Sequence, residues 1–280
     1  MSILDAMQLW KEFQEQSQYF RRVREDGEES TWSTLAPTYD EVVYPQNQHL
    51  DLAARLISRL PPDFTGIEIG AGPGTLTIPL ANHLQQLLVI EPSPSMRQVL
   101  ENRLALANLT NVSILPQKWE DVTGLRADVV IAGGCLYAFD DIAAILLKMR
   151  QTAGTMVILT HVGDDGLWEM DRQLFRRLAL SPPALLPPLT LVLKVLVQLQ
   201  IPVRLDLFFQ KTTRSYPLSR WLQRSRELLG LWNIEQERLE KFFREYLVQE
   251  GDNLSRQEQV PVAIIEFSGD YHDLAVSREL

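Results

Sequence analysis

Glu68-Ile69-Gly70-Ala71-Gly72-Pro73-Gly74 is the stretch of this chain best suited to holding a ligand. A short apolar run ends at its glycines and a helix-like stretch follows, so the glycines occupy a strand-to-helix turn. Glycine there lets the backbone approach a ligand closely and leaves the first amides of the helix pointing outward. Glu91 closes the next apolar run, 91 − 70 = 21 residues after Gly70. A carboxylate at that place can accept both hydroxyls of a ribose. The pair reads as a nucleoside site, with the Glu91 carboxylate expected to face solvent in an open cleft. The dinucleotide fingerprint Gly-x-Gly-x-x-Gly would need a glycine where this chain has Thr75. A phosphate loop ending Gly-Lys-Ser/Thr would need a lysine near the turn, and there is none.

Such a turn must be held by alternating strands and helices, and the flanking sequence supplies them. Leu76, Leu80 and Leu84 recur at helical spacing, and Pro79 is tolerable if that helix begins near Thr75. Leu87–Glu91 reads as a strand; Ser93 then caps a helix with Pro94 at its first position. Met96, Val99, Leu100, Leu104 and Ala107 form its apolar stripe. Val112–Leu115 and Ala127–Ala132 follow as strands. Asp140 or Asp141 caps the next helix, Gly154 is placed to end it, and Thr155–Val162 is a further strand. Apolar strands alternating with helices predict a doubly wound, mostly parallel α/β sheet covered on both faces.

The ends of the chain follow other patterns. Residues 3–25 predict one amphipathic helix, followed by an acidic turn at residues 25–29. Residues 167–180 predict another helix, and residues 182–202 are apolar and punctuated by proline. Arg204–Tyr216 reads as a strand, Pro217–Leu229 and Asn233–Gln249 as helices, the latter opened by an Asn233/Gln236 capping box. Val260–Phe267 is the last strand. The expected layout is a helical cap at 1–45, a ligand-binding core at 46–163, one core strand plus a helical substrate cap at 164–255, and a final strand and tail at 256–280.

Composition bounds the function. Of 280 residues, 45% are hydrophobic and 22% charged, as in an ordinary globular protein. Lys and Arg number 27 against 36 Asp and Glu, a formal charge of −9, which disfavours binding along a phosphate backbone. The single cysteine, Cys135, leaves no internal disulfide or Cys-rich zinc site, and no metal is expected. With no secretory signal or apolar run long enough to span a bilayer, a cytoplasmic location is expected.

Taken together, these motifs resemble the class I S-adenosylmethionine-dependent methyltransferases, chiefly over residues 37–162. The acidic residue before a Gly-x-Gly-x-Gly turn is matched by Glu68, Gly70, Gly72 and Gly74; the acidic end of the second strand by Glu91 with Pro92, Ser93 and Met96; the acidic residue after the third strand by Trp119-Glu120-Asp121. The resemblance implies a seven-stranded Rossmann-like sheet and S-adenosylmethionine as cofactor. It implies that Gly70, Ala71 and Gly72 lie against the methionine part, with Glu68 holding the loop or, through water, the cofactor's amino group. Glu91 would take the ribose, Pro92 or Met96 would pack on the adenine, and Trp119 and Glu120 would flank it. Gly133 and Gly134 would face the sulfonium.

The acceptor is less legible. Methyl transfer is an in-line displacement that needs a base only when the nucleophile carries a proton. His161, at the end of the fifth strand, is the candidate base, and Tyr137 a candidate orienting group. Asp164 and Asp165 are adjacent acids more in keeping with a solvated loop. The Pro-Cys and Asp/Asn-Pro-Pro-aromatic motifs of nucleic-acid methylases are replaced here by Gly133-Gly134-Cys135-Leu136. Leu178–Pro202 and Leu205–Phe209 can wall an apolar pocket, form a homodimer interface or simply pack on the sheet. The expectation is methyl transfer to a small molecule, with no nucleic-acid or membrane partner. The alternatives are a protein methyltransferase and a non-catalytic cofactor-binding regulatory or assembly subunit.

Overall fold

A computed structural model describes residues 5–33, 35–39, 49–162 and 167–270. Within these, one mixed sheet holds β1 (Thr65–Ile69), β2 (Gln86–Ile90), β3 (Val112–Leu115), β4 (Ala127–Gly133), β5 (Ala153–Val162), β6 (Arg204–Pro217), β7 (Val248–Glu250) and β8 (Asn253–Ser268). The strand order is β3-β2-β1-β4-β5-β8-β6, with β7 paired to β8. The first five strands are parallel, and β8 runs antiparallel to β5, β6 and β7. The expected doubly wound sheet is present, with one short strand more than seven. Gly251, at φ 60°, turns the chain so that Val248–Glu250 folds back on the first residues of β8.

Alternation along β4 shows why the core strands are apolar throughout. Val129 and Ile131 join one buried cluster, with Leu52, Leu80 and Leu100. Val130 and Ala132 join the other, with Trp10, Leu146 and Val195. A strand buried on both faces has no polar side to show. A third cluster lies apart from the sheet core, built from Leu174, Phe175, Trp221, Phe242 and Phe243.

The N-terminal segment forms α1 (Ala6–Gln16), α2 (Gln18–Asp26) and α3 (Glu28–Ser33) rather than one helix and a turn. Ser17 is buried and extended between the first two because its neighbour Gln18 donates its backbone N–H to Ala184 O at 3.0 Å. Gly27, at φ 83°, ends α2, and Glu28 starts the next helix at once.

The core helices are α4 (His49–Ile57), α5 (Thr77–Ala81), α6 (Pro94–Leu106) and α7 (Ile142–Thr152). Ser93 caps α6 as expected, its side chain accepting the Met96 N–H, and Asp141 caps α7. Gly154 does not end α7. Ala153 leaves that helix in an extended conformation, so Gly154 lies within β5.

The later helices are α8 (Glu169–Leu178), α9 (Leu189–Gln198), α10 (Leu218–Glu227) and α11 (Gln236–Tyr246). The proline-punctuated stretch thus contains a helix, α9. Asn233 is not the cap of α11: Glu235 precedes the helix, and the Gln236 side chain is engaged with Arg226 and Glu240. Among the described residues, no helix is long and apolar enough to cross a membrane.

Candidate functional site

The glycine turn leaves β1 in a left-handed conformation, with φ 66° at Gly70, 56° at Gly72 and 89° at Gly74. Each glycine meets different surroundings. A Cβ at Gly70 would fall 2.8 Å from Cys135 Cβ, and one at Gly74 would fall 2.6 Å from Leu100 Cδ1. At Gly72 a Cβ would meet nothing within 4 Å. Gly74 therefore permits close packing on α6, whereas Gly72 borders open space.

That space is a cavity at the C-terminal ends of the parallel strands. Gly70, Gly72, Glu91, Pro92, Met96, Trp119, Glu120, Gly133 and Gly134 all line it, so most of the residues singled out in the sequence meet at one place. Glu68, Ala71 and Gly74 are not among its lining residues. Glu68 is buried beneath the loop, where its Oε2 accepts the Thr77 hydroxyl at 2.7 Å. Burial pushes its carboxyl up to about 8. Ala71 is buried against the core.

Glu91 is only 6% exposed, and its acidity is lowered by burial. Its two oxygens accept the backbone N–H groups of Gly72 and Ser93. Each carboxylate oxygen can accept more than one hydrogen bond, so a ligand's hydroxyls can be accommodated as well.

The sequence reading missed what covers the cavity. Tyr19, Glu28, Trp32 and Tyr39 of the N-terminal segment line it, together with Lys118. Tyr19 packs edge-on to Tyr137 with ring centres 5.0 Å apart, and its hydroxyl donates to Glu28 Oε1 at 3.4 Å. Glu28 pairs with Lys118 at 2.6 Å. Glu29 accepts the Ser93 hydroxyl at 2.7 Å and the Ser95 N–H at 3.0 Å. A signal for this was present: acidic Glu28-Glu29 suits the exposed amides at the start of α6.

A second, larger cavity of about 1060 Å³ lies between the sheet and the cap. His161 lines this one, on β5 opposite Ala263 of β8. Tyr19, Trp32, Tyr39, Gly134 and Tyr137 line both cavities and so form the boundary between them. Burial holds the Tyr137 hydroxyl well above its ordinary range and pushes the Cys135 thiol up to about 12, so neither is ionised near neutral pH. Asp164 and Asp165 lie outside the described residues. No cluster of metal-binding side chains occurs among the described residues.

The family described as "Methyltransferase domain" matches residues 67–154, from within β1 to the start of β5. Over residues 67–154 the chain is thus similar to a methyltransferase domain. The methyl donor of such domains is S-adenosylmethionine. The curated protein "Probable ribosomal RNA small subunit methyltransferase A" of Methanosphaera stadtmanae is 39% identical over 68 residues, 24% of this chain. The match spans only 25% of that relative's length. The YcgJ protein from Bacillus subtilis superposes with a TM-score of 0.54 at 13% identity, over 79% of this chain and 99% of that one. A Bacillus halodurans protein gives 0.52 at 11% identity, over 79% and 96%. At these identities the likeness is one of fold.

The methyltransferase domain's residues fit the donor. A buried carboxylate, Glu91, lines the cavity beside Gly72 and Gly134, where an added Cβ would meet no protein atom within 4 Å. Those are places where a ligand can lie against bare backbone.

Proposed function

We propose that this protein transfers a methyl group from S-adenosylmethionine to a small-molecule acceptor held in the second cavity. The observation that carries this reading is the common boundary of the two cavities at Gly134 and Tyr137. A donor beside Gly133 and Gly134 has only that boundary between it and an acceptor on the other side. Bound there, S-adenosylmethionine supplies a methyl carbon on a positively charged sulfur, open to in-line attack.

In this reading the Gly70–Gly72 backbone holds the methionine part and Glu91 takes the ribose hydroxyls. Pro92, Met96, Trp119 and Glu120 surround the adenine, and Tyr137 orients the acceptor. His161, lining the acceptor cavity, takes the proton of an acceptor that carries one. Tyr19, Glu28, Trp32 and Tyr39 of the N-terminal segment cover the donor, and the elements between residues 167 and 255 supply much of the acceptor cavity's wall. A small molecule is favoured because the cavity is a concave space lined in large part by apolar side chains and because the chain carries a charge of −9.

Calorimetry with S-adenosylhomocysteine and with NAD tests the donor half; tighter binding of S-adenosylhomocysteine is expected, and equal or tighter NAD binding overturns the reading. Incubation with methyl-labelled cofactor and a cell lysate, followed by size separation, tests the acceptor. Label should leave with the small molecules. Label on protein or RNA would overturn that half.

A further inference from the structure

The second cavity carries a charge opposite to that of the whole chain. Six arginines line it (Arg22, Arg172, Arg214, Arg220, Arg224 and Arg256) against three glutamates, in a protein of formal charge −9. Two of the arginines are held in an arrangement that is unfavourable by itself. Arg214 of β6 and Arg256 of β8 are direct register partners in the antiparallel ladder. Like charges placed directly opposite one another destabilise a sheet.

The neighbouring carboxylates do not resolve this. Arg224 is held by Asp171, whose two oxygens accept from Nη1 and Nη2 at 2.5 and 2.8 Å, leaving only Nε without a partner. Arg214 is 5% exposed, and its closest carboxylate, Glu258, lies at 3.7 Å, beyond hydrogen-bond reach. Glu258 is also shared with Arg256 Nε at 3.3 Å and with the Met170 N–H at 3.2 Å. Nε and Nη1 of Arg214 are left buried without a hydrogen-bond partner. Trp168 stacks on the guanidinium at 3.5 Å, which fixes its plane without satisfying those donors. Burial and the nearby Arg224 charge pull Arg214 down to about 10.

A planar guanidinium fixed in this way, with Nε and Nη1 unused on different edges, can donate to a carboxylate oxygen at either edge. The rest of the wall is mixed, and its apolar part includes Leu167, Leu185, Pro187, Trp221 and Trp232. We infer that the acceptor is an apolar molecule carrying a carboxylate, and that Arg214, aided by Arg256, binds that carboxylate in the second cavity. The inference rests on the proposed function for the word acceptor, and on the cavity's own charge for the rest.

Pyrene-1-butyric acid and pyrene-1-butanol share one apolar body and differ in the carboxylate, so their binding can be compared by pyrene fluorescence. The acid should bind at least ~10-fold more tightly than the alcohol, as expected for a charge-assisted hydrogen-bonded pair. Arg214→Gln and Arg256→Gln should each reduce binding of the acid and leave the alcohol unchanged, the former by ~10-fold or more. Arg204→Gln, at an exposed arginine outside the cavity, should change neither. If Arg214→Gln fails to fold, Arg214→Lys and Arg256→Gln decide the matter.

Equal affinity for the two probes overturns the inference, as does a preference for the acid that survives substitution at both arginines. S-adenosylhomocysteine binding measured on the same samples separates the two readings. Its absence with the acid preference intact sinks methyl transfer alone, and its presence without the preference sinks this inference alone.

Discussion

The Glu91 carboxylate accepts the backbone N–H of Gly72 at 2.7 Å, so the end of β2 clamps the glycine loop that leaves β1. The expectation of a solvent-facing carboxylate is therefore corrected. Glu91 closes against the loop because two backbone amides, those of Gly72 and Ser93, converge on it. Glu91→Gln should weaken S-adenosylhomocysteine binding by ~1.5–3 kcal/mol, roughly 10- to 150-fold. Glu91→Ala should also lower the stability of the ligand-free protein by ~1–3 kcal/mol, since both amides lose their acceptor. Calorimetry and thermal melts on the same preparations separate the two effects. An unchanged affinity in Glu91→Gln would make the residue a loop clamp alone.

Gly72→Val and Gly74→Ala should fail in different ways. At Gly72 the side chain would enter open space from a backbone at φ 56°, so ligand binding should be lost while circular dichroism stays native. At Gly74 a methyl group would press on Leu100, and melting temperature should fall first, by ~1–3 kcal/mol of stability. Native melting of Gly74→Ala would contradict the packing role.

His161→Asn should lower kcat by ~10²–10⁴-fold with cofactor affinity intact, given an acceptor that carries a proton. Steady-state kinetics with an identified acceptor provide the measurement. Retained kcat would return His161 to a structural role on β5. Tyr137→Phe tests the boundary between the cavities: a loss confined to KM for the acceptor would mark Tyr137 as an orienting group.

Glu68 gives a pH signature. Its carboxyl is raised to about 8 by burial, so between its ordinary value of 4.5 and about 8 the folded state holds a proton that the unfolded state has released. Its contribution to stability is complete below pH ~4.5 and is lost as pH rises through 8. Glu68→Gln, which mimics the protonated form, should flatten this fall. Its melting temperature relative to the unaltered protein should rise between pH 5 and pH 8.5 by several degrees. A pH-independent difference would mean that Glu68 does not titrate in this range.

The donor half was legible because its signals are local. The glycines, Glu91, and the Ser93-Pro94 start of α6 lie close together in the chain, and their strand and helix periods are unmixed. The cap was less legible for the opposite reason. Arg214 and Arg256 become neighbours only through a register that pairs residues 42 positions apart (256 − 214), and nothing in either local sequence announces it. Residues 256–259 of β8 alternate half-buried and exposed polar side chains outside the sheet core, so only Val260–Phe267 stood out as a strand. Gly154 misled because a C-terminal glycine and a strand glycine look alike until the backbone at Ala153 is known.

The separation of the cap's own hydrophobic cluster from the two that sandwich the sheet has a consequence for how this chain can diversify. Leu174, Trp221 and Phe243 belong to a cluster apart from those that pack on the sheet, and the long ends of β6 and β8 join it to the sheet. Changes to that outer cluster can reshape one chamber while the strands that grip the donor keep their packing. Chimaeras exchanged at residues 167–178 and 218–247 should therefore inherit a new acceptor range with the original cofactor affinity, making this outer cluster a replaceable reading head on a fixed chemical engine.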